Sequence, residues 1–138
     1  MAKNYLAPNE ILDYTIEGGQ AKVNRTAMAV FLMAVMAGMY VALGGLASST
    51  AAHAIADKGV AKLVTGAVFP IGLMFVVLNG GDLFTGNCLI VLSTLEKRNK
   101  VSDFFKNLAI VLAGNCVGAF FIAFLQANTG LFRMSDGG

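Results

Sequence analysis

Charge is what this chain lacks. Of its 138 residues only 13% are Asp, Glu, Lys or Arg, roughly half the share of an ordinary soluble domain, and that scarcity argues against a soluble enzyme. Disorder needs low hydrophobicity, whereas 57% of the residues are hydrophobic and the mean hydropathy is +0.70, so disorder is excluded. A net charge of +2 without a basic stripe on a soluble face gives no ground for a nucleic-acid partner. Histidine occurs once, and the two cysteines, Cys88 and Cys116, lie in apolar stretches where a thiol acts as a small hydrophobe. These three residues form no metal-ligand spacing, so no metal and no cofactor are assigned. Residues 1–23 lack the basic start, apolar run and small-residue cleavage site of a secretory leader, and none is expected there. Nowhere do a nucleophile, a base and an orienting group converge, which leaves enzymatic chemistry without support.

Long uncharged runs are present instead. Between positions 26 and 95 only Asp57, Lys58, Lys62 and Asp82 are ionised at neutral pH. Residues 26–50 carry no charge at all, and as a helix they would reach about 37 Å, enough to cross a hydrocarbon core of about 30 Å. Residues 104–128 read as a further span, since the one charge, Lys106, lies near the end and can extend to the headgroups. The fold class expected is therefore an all-α membrane protein.

The segment between them, 60–95, is too long for one span and is interrupted by Asn79-Gly80-Gly81-Asp82 and Thr85-Gly86-Asn87, residue types that leave helical geometry easily. Irregular backbone at membrane depth survives only when buried in protein or lining an aqueous cavity, because lipid cannot bond the freed N–H and C=O groups. The expectation is a half-helix over 60–78, an inserted loop over 79–86 and a second half-helix over 87–95. Lysine and arginine distribute as Lys3, Lys22 and Arg25 before the first span and Lys97, Arg98, Lys100 and Lys106 between the second and third. Lys58 and Lys62 follow the first span, and Arg133 the third. That bias places the N-terminus in the cytoplasm of a cell-membrane protein and the tail 129–138 outside. Residues 1–24 form an interfacial segment, with a short helix starting near Asn9 that the Gly18-Gly19 pair ends or bends.

The string NGGDLFTGN at 79–87 combines a carboxylate, glycines and hydroxyl or amide side chains inside apolar sequence, a mixture of no use on a lipid-facing helix. GGDLFTGN, the Phe69/Leu73 pair one helical turn apart before it, and Gly114-Asn115-x-x-Gly118 in the third span together resemble the formate/nitrite transporter family over the whole chain. The resemblance implies an aquaporin-like inverted-repeat fold, of which this chain is the first three-helix repeat with an interrupted second helix. It also implies a homopentamer and passage of a small monovalent anion such as formate, nitrite or hydrosulfide across the lipid bilayer. Family members are about twice as long. The second repeat is thus expected as a continuation or a separate chain, and the family's pore histidine and fourth-helix lysine have no match here. His53, at the outer end of the first span, is not a substitute.

By matched position the family's constrictions fall on Phe69, Leu73, Leu83 and Phe84, which would narrow and dry the path so that a neutral conjugate acid crosses more readily than a bare anion. From spacing alone, Phe69 and Leu73 could equally pack or face lipid. Thr85 and Asn87 would start the second half-helix and present its positive end to an anion, or simply cap it. Gly80, Gly81, Asp82 and Gly86 are read as loop structure, with the Asp82 carboxylate accepting loop N–H groups, since an exposed carboxylate would repel the substrate. Gly38, Gly114 and Gly118 belong to close helix packing, along a first-span stripe of Ala34, Gly38, Ala42, Gly45 and Ser49, and Asn115 bonds between helices. A neutral-solute pore of aquaporin type is the alternative, disfavoured by the absence of any Asn-Pro-Ala triplet. A non-transporting membrane scaffold is another, and it leaves the broken helix unexplained.

Overall fold

The computed structural model describes residues 5–130, all its regular structure being helical. The tail beyond Gly130, with Arg133, and residues 1–4 lie outside the described residues. Three helices are long and apolar enough to cross a membrane: Ala27–Ala52, Lys58–Leu78 and Val101–Asn128.

Helix α1, Pro8–Val23, begins one residue earlier than the expected Asn9 signal. Pro8 suits the first helical position, where its missing N–H costs nothing, and the Glu10 carboxylate accepts the Ala7 N–H at 2.6 Å. The Gly18-Gly19 pair does not end this helix. Gly19 is instead where α1 crosses a later helix: a Cβ there would stand 2.9 Å from Ser93 Oγ and 3.3 Å from Ile90 Cα. Close approach, rather than chain reversal, is the use made of it.

Helix α2, Ala27–Ala52, is capped by Thr26, whose hydroxyl accepts the Ala29 N–H at 3.3 Å. Its N-terminal half lies against the third span, α7, Val101–Asn128, the most extensive helix contact among the described residues. Glycines make that contact possible. A Cβ on Gly38 would collide with the Asn115 backbone, one on Gly118 with the Val35 carbonyl, and one on Gly114 would come 2.6 Å from Ala34 Cβ. With no difference in polarity between lipid tails and leucine, such close backbone contact is what drives helix association. Val30, Ala34 and Val111 form the apolar centre of this interface.

The expected small-residue stripe shifts register in the outer half of α2, where Gly44 and Ser48 are buried rather than Gly45 and Ser49. Six residues separate Gly38 from Gly44, which sets them about 120° apart around the helix, so Gly44 faces a different neighbour from α7. That neighbour is the second span, α3 Lys58–Val68 followed by α4 Pro70–Leu78. Gly44 meets Gly72 there, with a Cβ on Gly44 only 2.9 Å from Gly72 Cα. Asp57 caps α3 by accepting the Val60 N–H at 2.8 Å. The half-helix expected over 60–78 is stepped at Phe69, because Pro70 has no N–H to continue the bonding ladder; Gly72 N–H bonds back to Phe69 O at 3.1 Å.

After Leu78 the helix stops. A loop leads into α5, Phe84–Asn87, and α6, Ile90–Leu95, joined by tight bonds such as Leu89 N–H to Gly86 O at 3.3 Å. The resumed helix thus starts at Phe84, three residues before the expected Asn87.

Gly118→Leu should abolish monodisperse folded protein in size-exclusion chromatography, because overpacking a filled interface costs about 1–3 kcal/mol and here meets backbone. Gly45→Ala, facing open space, should fold normally.

Candidate functional site: the break in the second span

The loop sits deep. Asp82 N–H bonds to Met33 O at 3.3 Å and Gly81 lies against Ala37, which puts it about 9–15 Å along α2 from its start. Each backbone group released there needs a partner in the protein. Gly81 N–H finds Val76 O at 2.8 Å and Gly80 N–H finds Val77 O at 3.3 Å. Gly80 itself adopts φ +65°, a left-handed conformation that glycine tolerates without a Cβ penalty. A Cβ on Gly81 would approach Ala37 Cβ to 3.1 Å.

Asn115 closes the remaining gaps with one amide. Its Oδ1 accepts the Phe84 N–H at 2.9 Å, and its Nδ2 donates to Ala34 O at 2.8 Å and to Asp82 O at 3.0 Å. One side chain on α7 therefore ties the loop's exit to a carbonyl of α2, which goes beyond bonding between two helices. Both amide hydrogens and the carbonyl are used.

The N–H groups of Gly80, Gly81, Asp82 and Phe84 are bonded elsewhere, and the expectation that the Asp82 carboxylate accepts loop N–H groups is corrected. It is fully buried and faces two cations from the end of α1 and the α1–α2 link: Lys22 Nζ at 3.1 Å and Arg25 NH1 at 3.3 Å, with side-chain exposures of 28% and 41%. Lys22 is within ion-pairing distance of Oδ1 but off the direction of a hydrogen bond; its directed bond goes to Asn87 Oδ1. Asn87 in turn donates to Asn107 Oδ1 at 2.9 Å. These contacts run from α1 through α5 to α7 as one polar network. It contains two positive charges and one negative, a net +1.

Beside the loop is a groove of about 340 Å³. Leu73 and Leu83 contribute apolar wall, Thr85 and Gly86 the start of the resumed helix, and Lys22 and Arg25 the positive rim. Thr85 is exposed and its hydroxyl is not engaged in any hydrogen bond among the described residues. Of the expected site residues, Leu73, Leu83, Thr85, Gly80, Gly81 and Gly86 meet here. Asp82 is buried with its cations and does not line the groove, and three pore candidates do not either. Phe84 packs against the Val30, Ala34 and Val111 cluster. Asn87 is fully buried, its amide occupied by Lys22 and Asn107. Phe69, half-exposed at the Pro70 step, lies one turn beyond the groove.

Lys22, Arg25 and Asn107 are the residues that the motif reading passes over. The first two count there only as charges flanking a span. A signal existed: Asp82 is the single carboxylate between positions 58 and 95, and a carboxylate buried in a membrane helix requires a cation. Asn107 lies on the Val111, Gly114, Gly118 and Ile122 face of α7, the buried one.

These elements define a polytopic α-helical membrane protein whose second span ends in a loop packed against the first and third spans, beside a positively rimmed groove. The chain belongs to the formate/nitrite transporter family, whose description, Formate/nitrite transporter, matches residues 9–137. It is 42% identical over 108 residues to a probable formate transporter of Methanothermobacter thermautotrophicus, covering 74% of this chain and 39% of that protein. It is 31% identical over 132 residues to the formate channel BtFdhC of Bacillus thuringiensis, covering 94% and 51%. With the formate channel FocA of Escherichia coli (strain K12) the identity is 31% over 134 residues, covering 96% and 47%. The chain thus spans about half or less of the length of these relatives.

Asp82→Ala should lower folded yield and thermal stability, since removing one partner of a buried ion pair strands the others; about 3 kcal/mol is the expected scale. Asn115→Ala should do likewise, as each orphaned backbone group costs about 1–3 kcal/mol. Normal melting of either variant would show that the loop is held by something else.

Proposed function

We propose that this chain forms the first half of a transmembrane channel for a small monovalent anion or its conjugate acid, with formate, nitrite and hydrosulfide as the candidates. The observation that carries this reading is the groove, in which two cations stand beside an apolar constriction and a free hydroxyl. The net +1 at its rim raises the local concentration of an anion. Beyond the rim, Leu73 and Leu83 offer no hydrogen bonds, and stripping a monovalent ion of water costs several kcal/mol. A proton acquired near this point turns the ion into a neutral acid that crosses the apolar stretch at far lower cost. Thr85, with hydroxyl free, is the polar contact on the loop side.

The relatives' printed names support formate as the first substrate to try. The same kinship supports an aquaporin-like inverted repeat, in which a second three-helix unit, continuous with this chain or separate, closes the opposite wall, and a homopentamer embedded in lipid. The excess of lysine and arginine before the first span and between the second and third supports a cytoplasmic N-terminus in the cell membrane.

The test is flux into proteoliposomes of the complete protein for formate, nitrite and hydrosulfide, beside Thr85→Val. At least one anion should pass well above protein-free vesicles, and the valine variant, folded normally, should lose about tenfold, the value of one hydrogen bond of about 1.4 kcal/mol. Flux of none of the three would refute the reading, and unchanged flux in the variant would remove Thr85 from it.

A further inference from the structure

A second recess, of about 80 Å³, opens between the start of α2 and the first turns of α7, at one end of both spans. It is separate from the groove, sharing only Arg25 with it. Its polar lining is Arg25, Asp103, Lys106 and Asn107, over an apolar floor that includes Val30 and Ile110.

Each of these polar groups has bonding capacity to spare. Arg25 uses one guanidinium nitrogen on Asp82 and keeps its other donors. Asn107, 5% exposed, accepts from Asn87 through Oδ1, while its Nδ2 bonds nothing among the described residues. The half-buried Asp103 carboxylate and the Lys106 ammonium, both lining this recess, likewise have no side-chain partner among the described residues. A small interfacial recess thus offers three donor groups, two of them cationic, and one anionic acceptor.

We propose that this recess binds the headgroup of a phospholipid that carries both a phosphate and a primary ammonium. Arg25, Lys106 and Asn107 Nδ2 take the phosphate oxygens, and the Asp103 carboxylate takes the ammonium. An anionic headgroup without an amine would leave Asp103 unpaired and facing a negative charge, and a quaternary amine would give it no N–H to accept. The volume admits a headgroup phosphate, and the position between two span ends leaves the acyl chains in the bilayer. This site does not depend on the permeation reading.

Native mass spectrometry of the complete, detergent-solubilised protein, titrated with equimolar dioleoyl phosphatidylethanolamine, phosphatidylglycerol and phosphatidylcholine, tests it. The ethanolamine lipid should bind about tenfold more tightly than either competitor, the value of one charge-assisted bond. Asp103→Asn should erase that preference, and Lys106→Met should weaken all three lipids. Equal binding of the three, or a glycerol-lipid preference indifferent to Asp103→Asn, would overturn the proposal. Displacement of the lipid by 10 mM inorganic phosphate would also overturn it, by marking a site for free oxyanions. If either variant fails to fold, the wild-type ranking and the phosphate competition decide alone.

Discussion

A hydrocarbon solvent cannot bond a peptide group, and everything in this structure follows from having broken a membrane helix in spite of that. Stopping the second span at Leu78 frees N–H and C=O groups 9–15 Å along the neighbouring helix, by a rise of about 1.5 Å per residue. Asn115 absorbs two of them and anchors itself on the Ala34 carbonyl of α2; Met33 O, Val76 O and Val77 O absorb others, and the glycines at 80 and 81 let the chain turn tightly enough to reach these partners. The close α2–α7 contact serves the same end. Without Gly38, Gly114 and Gly118 the two helices would stand too far apart for one amide to bridge α2 and the loop.

What the break yields is a wall that mixes chemistries lipid-facing helices cannot combine. A buried carboxylate holds two cations against the loop, so the positive charge at the groove is fixed by tertiary structure and does not ride on a flexible surface lysine. The same network carries α1 into the fold: Lys22 reaches Asp82 and Asn87, and Gly19 lets α1 lie directly on α6. A segment that reads as an interfacial appendage is therefore part of the site's construction.

The all-helical class with its three long apolar helices and the family were legible in the residues, because uncharged runs and the GGDLFTGN string are strong local signals. Glycine and asparagine inside an apolar run pointed to an interruption after Leu78, but the helix resumes at Phe84 and not at Asn87. Side-chain direction was not legible. Phe84 and Asn87 flank Thr85 in sequence, yet α5 turns them toward α7 while Thr85 faces the groove, because residues one and two apart on a helix point in different directions. Asp82's partners lay 57 and 60 residues away, at Arg25 and Lys22, and no local pattern names a partner at that distance. The use of Gly44 against α4, on a different face of α2 from Gly38, was equally invisible until the neighbours of α2 were known.

The central claim is that the loop presents Thr85 to water and turns Phe84 away from it. Cysteine accessibility in the complete protein, reconstituted in vesicles with Cys88 and Cys116 replaced by alanine, measures that directly. An anionic methanethiosulfonate reagent should modify Thr85→Cys rapidly and Phe84→Cys hardly at all. An inert Thr85→Cys, or equal reaction at both positions, would contradict the geometry on which the groove rests.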